Sequence, residues 1–228
     1  MEQNLVLYHC VQARSLRVLW AIHEMGLQQQ VKLVTLPFPP RILHKEYLEV
    51  NVLGTVPALV DRAAGKLLTE SCAAPVYLLN KFATPAMRTA LQVSPDEPDY
   101  ADYVNWLSHA DATLTFPQTV MLRYTRLERQ KGLQKAGLDY GKWFIARLRL
   151  LDRTLADGRE FLCAGRFTLA DICICYALNL GVSLDNDKYA PATRAWRERM
   201  VARPAYAAAC AAEEASLRAF EQQQQSRL

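Results

Sequence analysis

Near the start of the chain, Leu5-Val6-Leu7-Tyr8 is an unbroken apolar run of the kind carried by a strand buried on both faces, and Val31-Lys32-Leu33-Val34 reads as a second strand. Between them Ser15 to Met25, closed by Gly26, has the apolar period of a helix with a glycine stop. Pro37 to Pro40 lead into a short helical piece around Ile42 to Val50. Two more apolar runs, Pro57 to Asp61 and Lys66 to Thr69, flank a turn containing Gly65 and predict a β-hairpin. A helix follows from Ser71 to Phe82. Pro75 lacks an N–H and is harmless only in a first turn, so this helix must begin near Ser71.

The order β-α-β-α-β-β-α, with a crossover helix between parallel strands, predicts a thioredoxin-like α/β domain over residues 1–82. Residues 83–98 change to Thr, Pro, Ser and Asp and read as a linker. Everything after is helical, predicting an all-α bundle over 99–221. One amphipathic segment runs from Asp99 to Glu128, bent near Pro117, and a second from Leu138 to Ala156. Thr168 to Val182, Ala192 to Ala202 and Ala205 to Phe220 complete the set. Thr168-Leu169-Ala170-Asp171 fits a capping box with Asp in place of Glu, and Phe167 with Ile172 suits the accompanying staple. Residues 222–228 read as a polar, disordered tail.

Composition narrows the function classes. Of 228 residues, 51% are hydrophobic and 22% charged, ordinary for a globular protein, and 27 basic against 23 acidic residues give +4 without a Lys/Arg run that could track a phosphate backbone. Nucleic-acid binding is not expected. No apolar stretch is long enough to span a bilayer, and Met1-Glu2-Gln3-Asn4 lacks the features of an export signal, so the expected location is the cytoplasm. The six cysteines are scattered, which disfavours a disulfide framework, and with the four histidines they show no metal-ligand spacing. No metal is expected.

The hairpin carries the clearest chemistry. Pro57 holds Val56 extended, and the Val56–Pro57 bond is a candidate for the cis form. Such a bend turns the backbone N–H and C=O of Val56 outward, where a peptide-shaped ligand can add as an extra strand. At the far end, Glu70-Ser71 marks the passage from strand to helix, where a hydroxyl and backbone N–H groups converge to capture a carboxylate. Edge and anion pocket together suit a small acidic peptide. Gly54-Thr55-Val56-Pro57-Ala58-Leu59 followed by Leu68-Thr69-Glu70-Ser71 resembles the glutathione-binding core of the cytosolic glutathione S-transferase family, whose pattern is G-x-V-P-x-L, a turn, then L-x-E-S. Phe167 to Asp171 and Arg203-Pro204-Ala205-Tyr206 match later family motifs, F-T-L-A-D and R-P-A-Y, so the resemblance spans nearly the whole chain.

The resemblance implies that Val56, shaped by Pro57, pairs with the cysteinyl backbone of glutathione, that Glu70 receives the γ-glutamyl ammonium and that Ser71 holds the carboxylate. The region that would activate the thiol departs from the pattern. Arg14-Ser15-Leu16-Arg17-Val18-Leu19-Trp20 falls in register with the bacterial S-P-x-S-R-S-x-R-V-L-W, yet the usual serine position carries Ala13, the beta-class cysteine position carries Arg14, and Cys10-Val11 replaces Ser-Pro. Cys10 is either a thiol that exchanges with glutathione or a small buried residue. Ser15 either donates its hydroxyl to the sulfur or caps the helix. Arg14 lowers the thiol pKa if it points inward and is solvated otherwise. Tyr8 matches a common strand tyrosine, and its alternative is half-buried packing. His44 and Lys45 lie where relatives supply a polar group, but Asn51-Val52 in place of Asn-Pro loosens the register there.

The expected activity is transfer of glutathione to a small electrophile, or its use in reducing one, by a detoxification-type homodimer. Tyr103, Trp106, His109, Phe116 and Tyr124 are candidates to wall an apolar pocket for the second substrate, Trp106 being the one expected in the core. Ala13 in the serine position motivates the alternative: a protein of this fold that catalyses little and binds a partner protein such as a stress or transcription factor.

Overall fold

Strand β1 (Leu5–His9) is buried at every position except half-buried Tyr8, which is why its sequence is continuously apolar. In the computed structural model, which describes residues 3–225, it lies inside a four-stranded mixed sheet of order β2-β1-β3-β4. β2 (Val31–Thr35) pairs parallel with β1, while β3 (Ala58–Asp61) and β4 (Lys66–Leu68) form the antiparallel hairpin. The parallel pair needs a crossover, supplied by α1 (Leu16–Glu24). A short α2 (Pro40–Leu43) and a 3-10 turn (Lys45–Glu49) lead to the hairpin, and α3 (Ala73–Phe82) follows it with Pro75 in its first turn.

The chain divides into two compact units, one holding residues up to Arg88 together with those from Ala202 onward, the other Thr89 to Val201. Sequence alone groups the last helix with the helical domain; in the structure α11 (Pro204–Gln225) joins the N-terminal unit and packs on α1. Arg203 clasps the Glu24 carboxylate with two hydrogen bonds of 2.7 and 2.9 Å, the Trp20 indole N–H donates to the same carboxylate at 2.9 Å, and Tyr206 stacks edge-on against Trp20. Packed by α3 and α11, α1 is buried from Leu16 through Ile22. The polar run expected as a tail extends α11 to Gln225, and residues 226–228 lie outside the described chain.

The expected linker contains α4 (Pro85–Leu91), whose first position suits a proline. In the second unit the segment from Asp99 to Glu128 is not one bent helix. α5 (Tyr100–Ser108) opens into a π-helical stretch (His109–Thr115), then α6 (Phe116–Leu122) and a second π stretch (Arg123–Leu127). Pro117 cannot donate into the ladder, and the wider π turn absorbs the loss while the Thr115 hydroxyl donates to the Ala110 carbonyl at 2.7 Å. α7 (Gln134–Arg147), α8 (Arg149–Leu155), α9 (Leu169–Ser183) and α10 (Pro191–Val201) complete the unit. The capping box of α9 is formed, and Asp171 also accepts the Leu162 N–H at 2.9 Å.

Asp61 ties the hairpin to α3. Burial pushes its carboxyl up, but the Tyr77 hydroxyl (2.6 Å), the Lys81 ammonium (2.9 Å) and the Ala64 N–H (3.0 Å) outweigh it and hold the group at about 2, below the ordinary 3.8. A depressed folded pKa gives stability that is present above the unfolded value and is lost as pH falls through the folded one. Asp61→Asn is therefore expected to remove about 2 kcal/mol of acid-sensitive stability, flattening the decline between about pH 4 and pH 2 in denaturant titrations. An unchanged acid limb counts against this role.

Candidate functional site

The hairpin register assembles the site. β3 and β4 pair Leu59 with Leu68 and Val60 with Leu67, so Val56–Pro57 and Glu70–Ser71 leave the two strands at the same end of the hairpin. β1 and β3 pair Tyr8 with Ala58, so Cys10 leaves β1 at that end as well. Hairpin mouth, end of β1 and the starts of α1 and α3 thus meet at one end of the sheet.

The Val56–Pro57 peptide is cis. Val56 packs against the buried cluster of Cys10, Leu36, Tyr47 and Ala58. The chain entering it is pinned at the Thr55 carbonyl, which accepts from the Tyr47 hydroxyl (2.6 Å) and the Asn51 amide (2.8 Å), while Asn51 Oδ1 accepts the Leu53 N–H (3.1 Å). Asn51 therefore fixes this loop without a proline after it. Gly54 adopts φ +59°, and a Cβ there would lie 2.5 Å from Arg41 Cβ, so the position requires glycine.

Glu70 is exposed and Ser71 buried, just ahead of α3. Ser71 Oγ accepts from the buried Arg17 guanidinium at 2.7 Å. A guanidinium can only donate, so the serine's own O–H remains to donate to an anion. Arg17 carries two signals in the sequence, its match to the arginine of the R-V-L-W motif and a charge inside an otherwise apolar helical run.

Cys10 is fully buried, its Sγ 3.7 Å from the Pro37 carbonyl, and burial pushes the thiol up to about 12. At neutral pH it is an uncharged packing group in this conformation. Ser15, also buried, precedes the first turn of α1 without capping it. Its Oγ instead accepts the Cys10 N–H at 3.3 Å and lies 3.5 Å from the Cys10 carbonyl, stapling the loop from inside. Arg14 is half-buried on the same turn, and Tyr8 stacks near Tyr47 at 5.4 Å.

Three further residues hold this loop. Gln12 adopts φ +57°, unusual for a residue with a side chain. Its N–H donates to Glu213 Oε2 at 3.1 Å, and the same oxygen is 2.9 Å from His9 Nε2. Because a carboxylate only accepts, His9 donates from Nε2. His9 is 0% and Glu213 5% exposed.

In the second unit Tyr103 and Trp106 are buried in the core, Phe116 is exposed, and Tyr124 is half-buried under the Arg123 guanidinium. His109 stacks edge-on to Trp106, and burial followed by nearby Arg147 lowers its pKa.

The glutathione S-transferase N-terminal domain family matches residues 13–80, and its C-terminal domain family matches residues 146–204. Glutathione S-transferase 2 of Schizosaccharomyces pombe is 29% identical over 179 residues, 71% of this chain and 75% of that protein. Human glutathione S-transferase theta-2 is 31% identical over 163 residues, 69% of this chain and 64% of that protein, so the chain spans just under two thirds of that relative. A sphingomonad glutathione S-transferase, solved in complex with glutathione, superposes with a TM-score of 0.74 at 26% identity, covering 92% of this chain and 98% of that one.

The burial pattern predicts thiol reactivity. Treated with iodoacetamide at neutral pH, native protein is expected to alkylate half-buried Cys72 at least about tenfold faster than Cys10. Peptide mass spectrometry reads this directly, and equal rates would mean that the Cys10 thiol is open to solution.

Proposed function

We infer, for a chain that belongs to the glutathione S-transferase family, that it binds reduced glutathione at the end of the sheet and transfers it to a small electrophile. The observation that carries this reading is Ser71, whose oxygen is occupied by Arg17 and whose proton is left for an anion, at the same end of the hairpin as Val56. Glutathione lies extended: its cysteinyl backbone pairs with Val56 beside Pro57, its γ-glutamyl carboxylate accepts from Ser71, and its ammonium meets Glu70.

The free thiol titrates near about 8.5, so a modest depression multiplies the thiolate present at neutral pH. Here the loop before α1 and the charge of Arg14 favour the thiolate, with Ser15 holding that loop. The sulfur then forms a bond to the electrophilic carbon, the leaving group departs with its electron pair, and the thiol proton passes to solvent. The buried, neutral Cys10 favours this conjugation over thiol exchange. Exposed Ile42, Val52 and Leu53 support a homodimer that covers them, and we place the protein in the cytoplasm.

A second reading, a partner-binding protein with little catalysis, draws on one observation: the two thiol and hydroxyl candidates, Cys10 and Ser15, are both buried. Saturable turnover with any electrophile favours the enzyme; recovery of one tight partner without turnover favours the rival. Ser71→Ala is expected to weaken glutathione binding by about 10- to 100-fold, the worth of a hydrogen bond to a charged group. Calorimetric titration checks this, and wild-type affinity in the variant would remove the proposed anion pocket.

A further inference from the structure

Two of the fastenings of the loop from Cys10 to Ser15 differ in kind. Ser15 belongs to the loop itself and takes the Cys10 N–H at 3.3 Å. Glu213 comes from α11, about two hundred residues further along the chain, and takes the Gln12 N–H at 3.1 Å. The second fastening sits at the strained residue. A side chain at φ +57° costs on the order of 1 kcal/mol or more and persists only where surrounding contacts over-determine it. Glu213 is suited to do so, because its carboxylate is 5% exposed, its Oε2 is also held by fully buried His9 at 2.9 Å, and its helix is clasped to α1 by Arg203 and Tyr206.

We propose that Glu213 is a positioning residue for the glutathione thiol: by holding Gln12 in its left-handed turn through the backbone N–H, it sets the course of the following turn, Ala13 and Arg14, beside the sulfur. His9 orients the carboxylate, and α11 is thereby part of the apparatus that sets thiolate content without touching glutathione. This rests on the glutathione reading above. Binding of the peptide belongs to Val56, Glu70 and Ser71, so loss of Glu213 affects the ionisation of the thiol much more than the affinity for glutathione.

Full-length wild type, Glu213→Ala, Glu213→Gln, Arg203→Ala and the double variant Glu213→Ala/Gln12→Gly are titrated with reduced glutathione by calorimetry, and the thiolate absorbance of the bound ligand is followed against pH. In Glu213→Ala the pKa of the bound thiol is expected to rise by about one unit, lowering the thiolate fraction at neutral pH by about three- to tenfold, while Kd changes by about threefold or less. Glu213→Gln keeps a weaker, uncharged acceptor and is expected to fall by about threefold, which also serves if the alanine variant does not fold. Gln12→Gly, which adopts positive φ without steric cost, is expected to restore the signal in the double variant. Arg203→Ala loosens α11 elsewhere and is expected to keep the wild-type signal. An unchanged thiolate signal in both Glu213 variants overturns the proposal, as does an equal loss in Arg203→Ala, which would reduce the effect to undocking of the helix. Wild type that does not bind glutathione overturns the glutathione reading itself, and this inference with it; wild type that binds with a depressed thiol pKa unaffected by Glu213 overturns this inference alone.

Discussion

A helix enclosed on every side cannot leave a charge unpaired, and α1 is such a helix. Its residues from Leu16 to Ile22 are all buried, and Arg17 is among them at 0% exposure. A guanidinium there with its N–H groups unmet would cost several kcal/mol, so its hydrogen bonds are a structural necessity. One of its acceptors, the Ser71 hydroxyl, stands two residues before α3. A buried hydrogen bond of 2.7 Å therefore ties the first helix to the start of the third and fixes the orientation of the Ser71 hydroxyl.

The same demand recurs at the end of β1. His9 has no exposure, and the pairing of its Nε2 with Glu213 draws α11 into the unit built on the sheet. His9 Nδ1 has no partner among the described residues, so the pairing is incomplete and the site carries some residual cost. Glu24 repeats the theme at the other end of α1, where Arg203 and Trp20 both bind its carboxylate. α11 is thus attached in part through buried or half-buried polar contacts, beside apolar ones that include Trp20 with Tyr206 and buried Ala209.

What could be read from sequence follows from how far apart the interacting residues lie. The hairpin, its cis Val56–Pro57 bend and the Asp171 box are set by neighbours within a few residues, and their residue types state their geometry directly. The mixed sheet preceding a helical domain is legible for the same reason, since periodicity is local. Arg17 is visible as a motif match and a charge out of place, but its burial is not, because that depends on α3 and α11 closing over it. Gln12 gave no sign, being neither Gly nor Asn nor Asp at a left-handed position. The burial of Cys10 and Ser15 was equally hidden, since one loop sequence serves an open thiol or a packed one, and only the cluster around Tyr47 distinguishes them. The π stretches beside Pro117 replaced the expected bend because a helix can widen as well as kink.

The contact between Glu213 and His9 spans 204 positions of the chain. A nascent polypeptide emerges at about 5–20 residues per second, so β1 waits on the order of ten seconds or more before its last partner leaves the ribosome. Through that interval the sheet, α1 and α3 can assemble, because their contacts lie early in the chain, but α1 keeps a bare flank and His9 lacks its carboxylate. β1 is therefore completed long after it is made, and during synthesis the exposed flank beside it is open to chaperones and to association with other unfinished chains.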